Sequence, residues 1–519
     1  MNIGMIPAKW AALAPAREAV IDVPSGRRVT FGELDADVMR LAQALCHGVG
    51  LERGDRVAVL AKNSVELLEI CLACARGGLI AVPLNWRMGA PELRRILADA
   101  APGVLVTTPE FRVLRDALVP LGGCVRVLEF GADSDGSYDA LKASGAPTEL
   151  DPALGPAAHD PCLILYTGGT TGDSKGVLHS HHSLYMGMLN QTVAERIVPS
   201  DVYMLTGQMF HIPVVLALNY LAHGCPLVLI NFEPRQALEV IERERVSAFL
   251  GITTMLNWMM AVADFDQFDL SSLRNIQYGG GPMPASVIRA AQAAFPCTLI
   301  QGYGQTEGVT MTFLSQEDHA RALAGTHVER LRSCGREGFV TRVRVVDPRR
   351  NDVPCDGVTV GEIIVQSEAN MLGYWGRPEL TAQTLRDGWM WTGDLATWDH
   401  ERYVFIVDRA KDMIISGGEN VYSIEVERAL ASHAAVSACA VIGVPDAQWG
   451  ERVHAVVVPR EGMAPSLADL RDHCRALIAG YKCPRSLDLV AALPLSAAGK
   501  VLKTELRRPF WANHEKGIA

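Results

Sequence analysis

The stretch Tyr166-Thr167-Gly168-Gly169-Thr170-Thr171-Gly172-Asp173-Ser174-Lys175-Gly176 follows the apolar run Cys162 to Tyr166 and reads as a flexible loop that closes on a lysine. Glycines at 168, 169, 172 and 176 let main-chain N–H groups approach an anion, hydroxyls at 167, 170, 171 and 174 add donors, and Lys175 adds charge. Such a loop suits phosphate. The mononucleotide P-loop needs G-x-x-x-x-G-K-[ST]; here Lys175 follows Ser174 and precedes Gly176, so that pattern fails. Taken alone, a Gly/Ser/Thr stretch is ordinarily a linker, and the decision falls to the rest of the chain.

A chain of 519 residues is too long for one ordinary core and predicts two or more domains. With 58 acidic against 48 basic residues, net −10, and no basic stripe, a nucleic-acid partner is not expected. The 12 cysteines are scattered, no His/Cys cluster has zinc spacing, and no basic stretch followed by an apolar signal core opens the chain, so reduced thiols in a cytoplasm are expected. No run of about eighteen uninterrupted apolar residues predicts a membrane span. Association with a lipid surface stays open.

Upstream of the loop the pattern alternates helix and strand. Thr30 and Glu33 form a capping-box pattern, and Leu34, Val38, Leu41, Ala42 and Leu45 recur on one helical face. Arg56 to Leu60, Leu79 to Leu84 and Val104 to Thr107 read as buried strands, so an α/β architecture with a largely parallel sheet is expected, binding its ligand at strand C-termini. Gly145 to Pro161, rich in Pro, Ala and Gly, reads as a surface connection.

Downstream, further segments combine glycine with polar groups. In Tyr278-Gly279-Gly280-Gly281-Pro282-Met283-Pro284, three glycines after an apolar strand admit a flat ring against backbone, unless the segment is only a turn. Gln301-Gly302-Tyr303-Gly304-Gln305-Thr306-Glu307 offers a ring face, a hydroxyl and a carboxylate suited to a base, a phosphate and Mg²⁺. Trp391-Thr392-Gly393-Asp394 is read as a tight turn presenting a carboxylate that accepts both hydroxyls of a ribose.

Together with Asp408-Arg409-Ala410-Lys411-Asp412-Met413-Ile414-Ile415-Ser416-Gly417-Gly418-Glu419-Asn420 and Pro494-Leu495-Ser496-Ala497-Ala498-Gly499-Lys500, these segments resemble, in content and order, the adenylate-forming superfamily of acyl-CoA synthetases, peptide-synthetase adenylation domains and beetle luciferases. The resemblance runs from about Thr30 to Arg507. It implies a large, multi-subdomain N-terminal domain over 1–408 and a small mobile α+β domain over 409–519. Thr167, Gly168, Gly169, Thr170, Thr171, Gly172 and Lys175 would hold the β- and γ-phosphates of ATP. Gly279, Gly280, Gly281, Gly302, Tyr303 and Gly304 would frame adenine and the adjoining acyl site, Thr306 and Glu307 would serve the α-phosphate and Mg²⁺, and Asp394 and Arg409 would hold the ribose. Lys500 resembles the lysine that bridges the carboxylate and the α-phosphate. Gly168 stands where the family commonly has serine and Ser174 where it has proline, which puts loop rigidity in doubt more than activity.

The implied chemistry joins two anions, a carboxylate and ATP, so Mg²⁺, Lys500 and the loop donors must offset repulsion. Pyrophosphate leaves, and a thiol, that of coenzyme A, then displaces AMP from the acyl-adenylate. In the family the C-terminal domain swings about a hinge that matches Lys411, exchanging Lys500 for Ser416 to Glu419, with Gly417 and Gly418, beside the thiol channel. The family's acyl pocket lies near Met209-Phe210-His211-Ile212-Pro213, the run Val214 to Leu221 and Ile252 to Leu256. The run Val214 to Leu221 is uncharged here, which favours a hydrophobic acid, fatty before aromatic, over an amino acid whose ammonium needs a carboxylate. His211 would gate the pocket or touch the carboxylate; it is equally a packing residue. A ligase that loads a carrier protein is the alternative acceptor reading, although no carrier domain follows. A luciferase-like oxygenase is disfavoured, since nothing suggests oxygen chemistry and Lys516-Gly517-Ile518-Ala519 is not a peroxisomal signal. A homodimer and a protein acetyltransferase acting on Lys500 complete the expected partners.

Overall fold

The computed structural model describes residues 1–118, 126–131, 137–151, 155–167, 174–281, 283–495 and 501–512. It divides into two compact units, the first comprising residues 1–167, 174–343 and 365–390 and the second residues 344–364 and 391 onward.

Two sheets organise the first unit. In one, the strand order is Gly373–Tyr374, Lys175–Ser180, Pro161–Thr167, Ile80–Pro83, Arg56–Leu60, Val104–Thr107, Arg126–Glu129. Its inner strands are parallel and buried on both faces, which explains why Val57, Ala58, Val59 and Leu60 read as an unbroken apolar run. Helix Val65–Gly77 covers it, with Leu68 and Leu72 fully buried, each contributing about 1.5–3 kcal/mol of transfer free energy. Only the strand pairs that involve Lys175–Ser180 run antiparallel in this sheet. The expected capping box is present: Glu33 N donates to Thr30 Oγ1 at 3.2 Å, and Thr30 N donates to Glu33 Oε2 at 2.9 Å.

The second sheet has the order Arg336–Glu337, Val309–Leu314, Thr298–Gln305, Asn275–Gly279, Ala248–Leu250, Tyr203–Leu205, Leu227–Leu229, Glu18–Asp22, Arg27–Thr30. Parallel pairing of Asn275–Gly279 with Thr298–Gln305 brings Gly279 opposite Gly302. Both glycine motifs therefore end at the same edge.

The smaller unit is α+β. Val436–Asp446 and Gly450–Pro459 form a long antiparallel pair, joined by Ile414–Ser416, Glu419–Val421 and Ser486–Leu489, with helices Ser423–Ala431, Leu467–Arg475 and Lys503–Trp511. The apolar runs 438–444 and 453–458 lie within that pair. Trp391-Thr392-Gly393-Asp394, expected as a turn, instead belongs to strand Trp389–Trp398. Alternating burial of Met390, Thr392, Asp394 and Ala396 carries the strand through, and the glycine contributes a local kink at φ +70°.

Candidate functional site

In the first unit the site is built from two hairpins. Thr167 and Lys175 face one another as the last pair of the antiparallel strands Pro161–Thr167 and Lys175–Ser180, so the ends of the phosphate loop are fixed by ladder bonds. Residues 168–173, with Gly168, Gly169, Thr170, Thr171 and Gly172, and residues 496–500, with Lys500, lie outside the described residues.

Thr306, Glu307 and Gly308 form the tip of the second hairpin, between Gln305 and Val309. Gly308 N donates to Gln305 O at 3.1 Å. Val309 follows at φ +57°, a backbone region that a β-branched residue rarely occupies; its side chain is buried, and Gly187 leaves room for it. Gly304 accommodates the same tight crossing, since a Cβ there would stand 1.8 Å from Val309 O. The three glycines of 279–281 divide in role. A Cβ on Gly279 would stand 2.2 Å from Gly302 O, whereas Gly280 and Gly281 meet nothing within 4 Å, leaving open space against backbone for a ring. Tyr303 is 8% exposed and pairs across the hairpin with Thr312.

Three groups, from strand Lys175–Ser180, strand Gly373–Tyr374 and the residue Met371 just before the latter, hold the turn. Tyr374 Oη donates to Glu307 Oε1 at 2.7 Å, Met371 N donates to Glu307 O at 2.8 Å, and His179 Nε2 lies 2.8 Å from Thr306 O. Burial pushes the His179 imidazole down to about 4, so it is neutral and donates from Nε2, its Nδ1 lying 3.1 Å from Ser183 Oγ. Burial, and then the adjacent Glu307 carboxylate, push the Tyr374 phenol well up, so it remains a donor. Neither residue was among the sequence candidates. Their contacts span 67 and 127 positions, and no local spacing signals them.

The donor set fits Mg²⁺. Among the described residues no group of three or more His, Cys, Asp or Glu is placed to hold a metal. A single carboxylate with a hydroxyl beside it suits a cation that arrives on substrate phosphates and keeps waters.

His211 packs edge-on against Phe210, with ring centroids 4.7 Å apart, just before helix Pro213–Ala222. Buried Asn63 fixes this approach, accepting from Met209 N at 3.0 Å and donating to Gly207 O at 2.8 Å. Val214 to Leu221 is buried throughout the helix, which gives its apolar sequence a core role. Cys71 and Cys74 have C-x-x-C spacing, yet both are buried on helix Val65–Gly77, and burial raises both thiols, Cys71 to about 12; they are inert core residues.

In the second unit, Asp394 pairs with Arg409 across antiparallel strands, Arg409 Nε standing 3.0 Å from Asp394 Oδ1. Lys411 is exposed in the turn that follows, where Asp412 N donates to Arg409 O at 2.9 Å. Gly417 and Gly418, at φ +64° and +84°, make the two-residue turn between Ser416 and Glu419. Two successive positive φ values demand these glycines on structural grounds alone.

Comparison with known proteins bears on all of these segments. The AMP-binding enzyme family matches residues 8–375, and the AMP-binding enzyme C-terminal domain matches residues 425–500. A feruloyl-CoA synthase of Amycolatopsis sp is 38% identical over 512 residues, covering 98% of this chain and 99% of that protein. The long-chain-fatty-acid–CoA ligase FadD13 of Mycobacterium tuberculosis is 34% identical over 525 residues, covering 99% and 100%. The ATP-bound structure of MatB from Rhodopseudomonas palustris superposes with a TM-score of 0.86 at 29% identity, covering 100% of both chains. The chain belongs to the AMP-binding enzyme family, in the adenylate-forming superfamily to which CoA ligases belong.

Proposed function

We propose that this enzyme activates a hydrophobic carboxylic acid as its acyl-adenylate and transfers the acyl group to coenzyme A, releasing pyrophosphate and AMP. The observation that carries the reading is the Thr306–Glu307 turn, tied through Tyr374 to the strand pair that ends in Lys175. A hydroxyl, a carboxylate and an ammonium are the groups that a polyphosphate and its cation require. Glu307 would hold Mg²⁺ together with the substrate phosphates, and the cation would supply charge neutralisation there. Lys175 and the loop Thr167 to Gly172 hold the pyrophosphate side, Gly280 and Gly281 border the base, and Asp394 and Arg409 take the ribose hydroxyls. Lys500 orients the acid against phosphorus as negative charge develops. Lys411 is the hinge about which residues 409–519 turn, bringing Gly417 and Gly418 to the thiol.

A fatty acid is the favoured substrate, supported by the 34% identity to the long-chain-fatty-acid–CoA ligase FadD13. The second reading is an aryl acid, supported by the 38% identity to a feruloyl-CoA synthase. Pyrophosphate release across saturated C4 to C18 acids, benzoates and hydroxycinnamates, each with and without coenzyme A, tests both. Release that coenzyme A accelerates for a hydrophobic acid is the expected result; turnover only with a phosphopantetheinylated carrier protein moves the acceptor, and no release with any acid refutes the reading.

A further inference from the structure

One side chain touches both halves of the phosphate apparatus in the first unit. Tyr374 lies on the two-residue strand Gly373–Tyr374, paired with Val177 and Leu178 directly beyond Lys175. Its ring is 8% exposed and packs with Val177 and Met371. The Lys175 ammonium stands 5.3 Å from the ring centroid, a cation–π contact, while the hydroxyl donates to Glu307 Oε1 at 2.7 Å. The backbone is locked on both sides: Tyr374 N donates to Thr381 Oγ1 at 2.9 Å, and Met371 N donates to Glu307 O at 2.8 Å. Its anchored backbone and buried ring hold the phenol against the Glu307 carboxylate.

We propose that Tyr374 is a positioning residue for adenylation, fixing the Glu307 carboxylate through its hydroxyl and the Lys175 ammonium through its ring face. The assignment rests on the function proposed above. Physically, a carboxylate held at one oxygen loses rotamers before the cation arrives, so less entropy is lost on binding. Hydrogen-bond partners of this kind commonly govern metal affinity as strongly as the ligands they orient.

The two contacts separate by mutation. Tyr374→Phe removes the hydroxyl and keeps the ring over Lys175; Tyr374→Leu removes both. In Tyr374→Phe the Mg²⁺ concentration for half-maximal pyrophosphate release should rise about 10-fold, with kcat at saturating Mg²⁺ changed less than about 3-fold. Mn²⁺ binding to the full-length enzyme with a nonhydrolysable ATP analogue, read by electron paramagnetic resonance without any acid, should weaken by a similar factor. Tyr374→Leu should in addition raise the KM for ATP. A cycle with Glu307→Gln guards against a merely structural effect: Tyr374→Phe should not weaken Mn²⁺ binding further in that background. Unchanged Mn²⁺ affinity in Tyr374→Phe, or equal losses with and without the Glu307 carboxylate, overturns the proposal. The Mn²⁺ arm needs no acid substrate, so a wild-type enzyme that releases no pyrophosphate would refute the proposed function while this test still returned its own answer.

Discussion

Asp394 Oδ1 and Arg409 Nε meet at 3.0 Å across an antiparallel strand pair, and the carboxylate is buried while the guanidinium is half-buried. Arg409 aims the carboxylate from across the strand pair, and each oxygen of a carboxylate can accept more than one hydrogen bond. If it also receives the ribose hydroxyls, Asp394→Asn should raise the KM for ATP about 10- to 100-fold, the scale of a lost charged hydrogen bond, with kcat little altered. Equal losses in ATP affinity and thermal stability, with no selective effect on nucleotide, would make the pair purely structural. Initial rates against ATP together with melting curves distinguish the two.

Lys500 carries a prediction that separates the half-reactions. In Lys500→Ala, adenylation should fall at least ~10²-fold, the usual scale for losing one transition-state donor. Thioester formation from a supplied acyl-adenylate should largely survive, because that step has no carboxylate attack to stabilise. Unchanged pyrophosphate release would remove Lys500 from the chemistry. Acetylation of this lysine would erase its charge with the same effect, and mass spectrometry of the native protein detects it.

The parts of the fold that were legible are those whose signal is local. The Thr30–Glu33 box and strand Arg56–Leu60 show themselves in spacing and apolar runs, and both are present. Strand Trp389–Trp398 carries no apolar period of two, since Thr392 and Asp394 are buried while Trp391 and Leu395 are half-buried, and the Gly393-Asp394 turn signal stood unopposed. Val309 ran against every local rule, since a β-branched residue at positive φ is tolerated only when tertiary packing over-determines it. His179 and Tyr374 had no signal, because what distinguishes them is the strand register that sets them beside Thr306 and Glu307. Gly417 and Gly418 were legible as glycine but not as turn: their positive φ values satisfy a hairpin requirement that the motif reading did not need.

The turn at Lys411 predicts a kinetic split. Proline there fixes φ near −65° and pushes Ala410 toward extended backbone, so it opposes any rotation that changes these dihedrals. Lys411→Pro should therefore lower overall acyl-CoA formation far more than it lowers one of the two isolated half-reactions. Full turnover in Lys411→Pro would place the hinge elsewhere.

A last prediction concerns pH and stability away from the site. Glu195 is fully buried at the end of helix His181–Glu195, accepting from Tyr220 Oη at 2.7 Å and from Gln191 Nε2. Burial raises its carboxyl from the ordinary 4.5 to about 7, outweighing the hydrogen bonds and the Arg274 charge that lower it. With the folded value above the unfolded one, the native state holds the proton more tightly between the two, so its stability falls as pH rises from about 4.5 to about 7. The gap corresponds to about 3 kcal/mol, fully felt above pH 7 and absent below the unfolded value. Glu195→Gln removes the titration and keeps the shape. The variant's melting temperature relative to wild type should thus be highest near pH 8 and shrink steadily toward pH 5. Glu69, another buried acid raised to about 7, titrates in both proteins and cancels in that difference. A difference that stays constant from pH 5 to 8 would mean that Glu195 remains in one protonation state throughout.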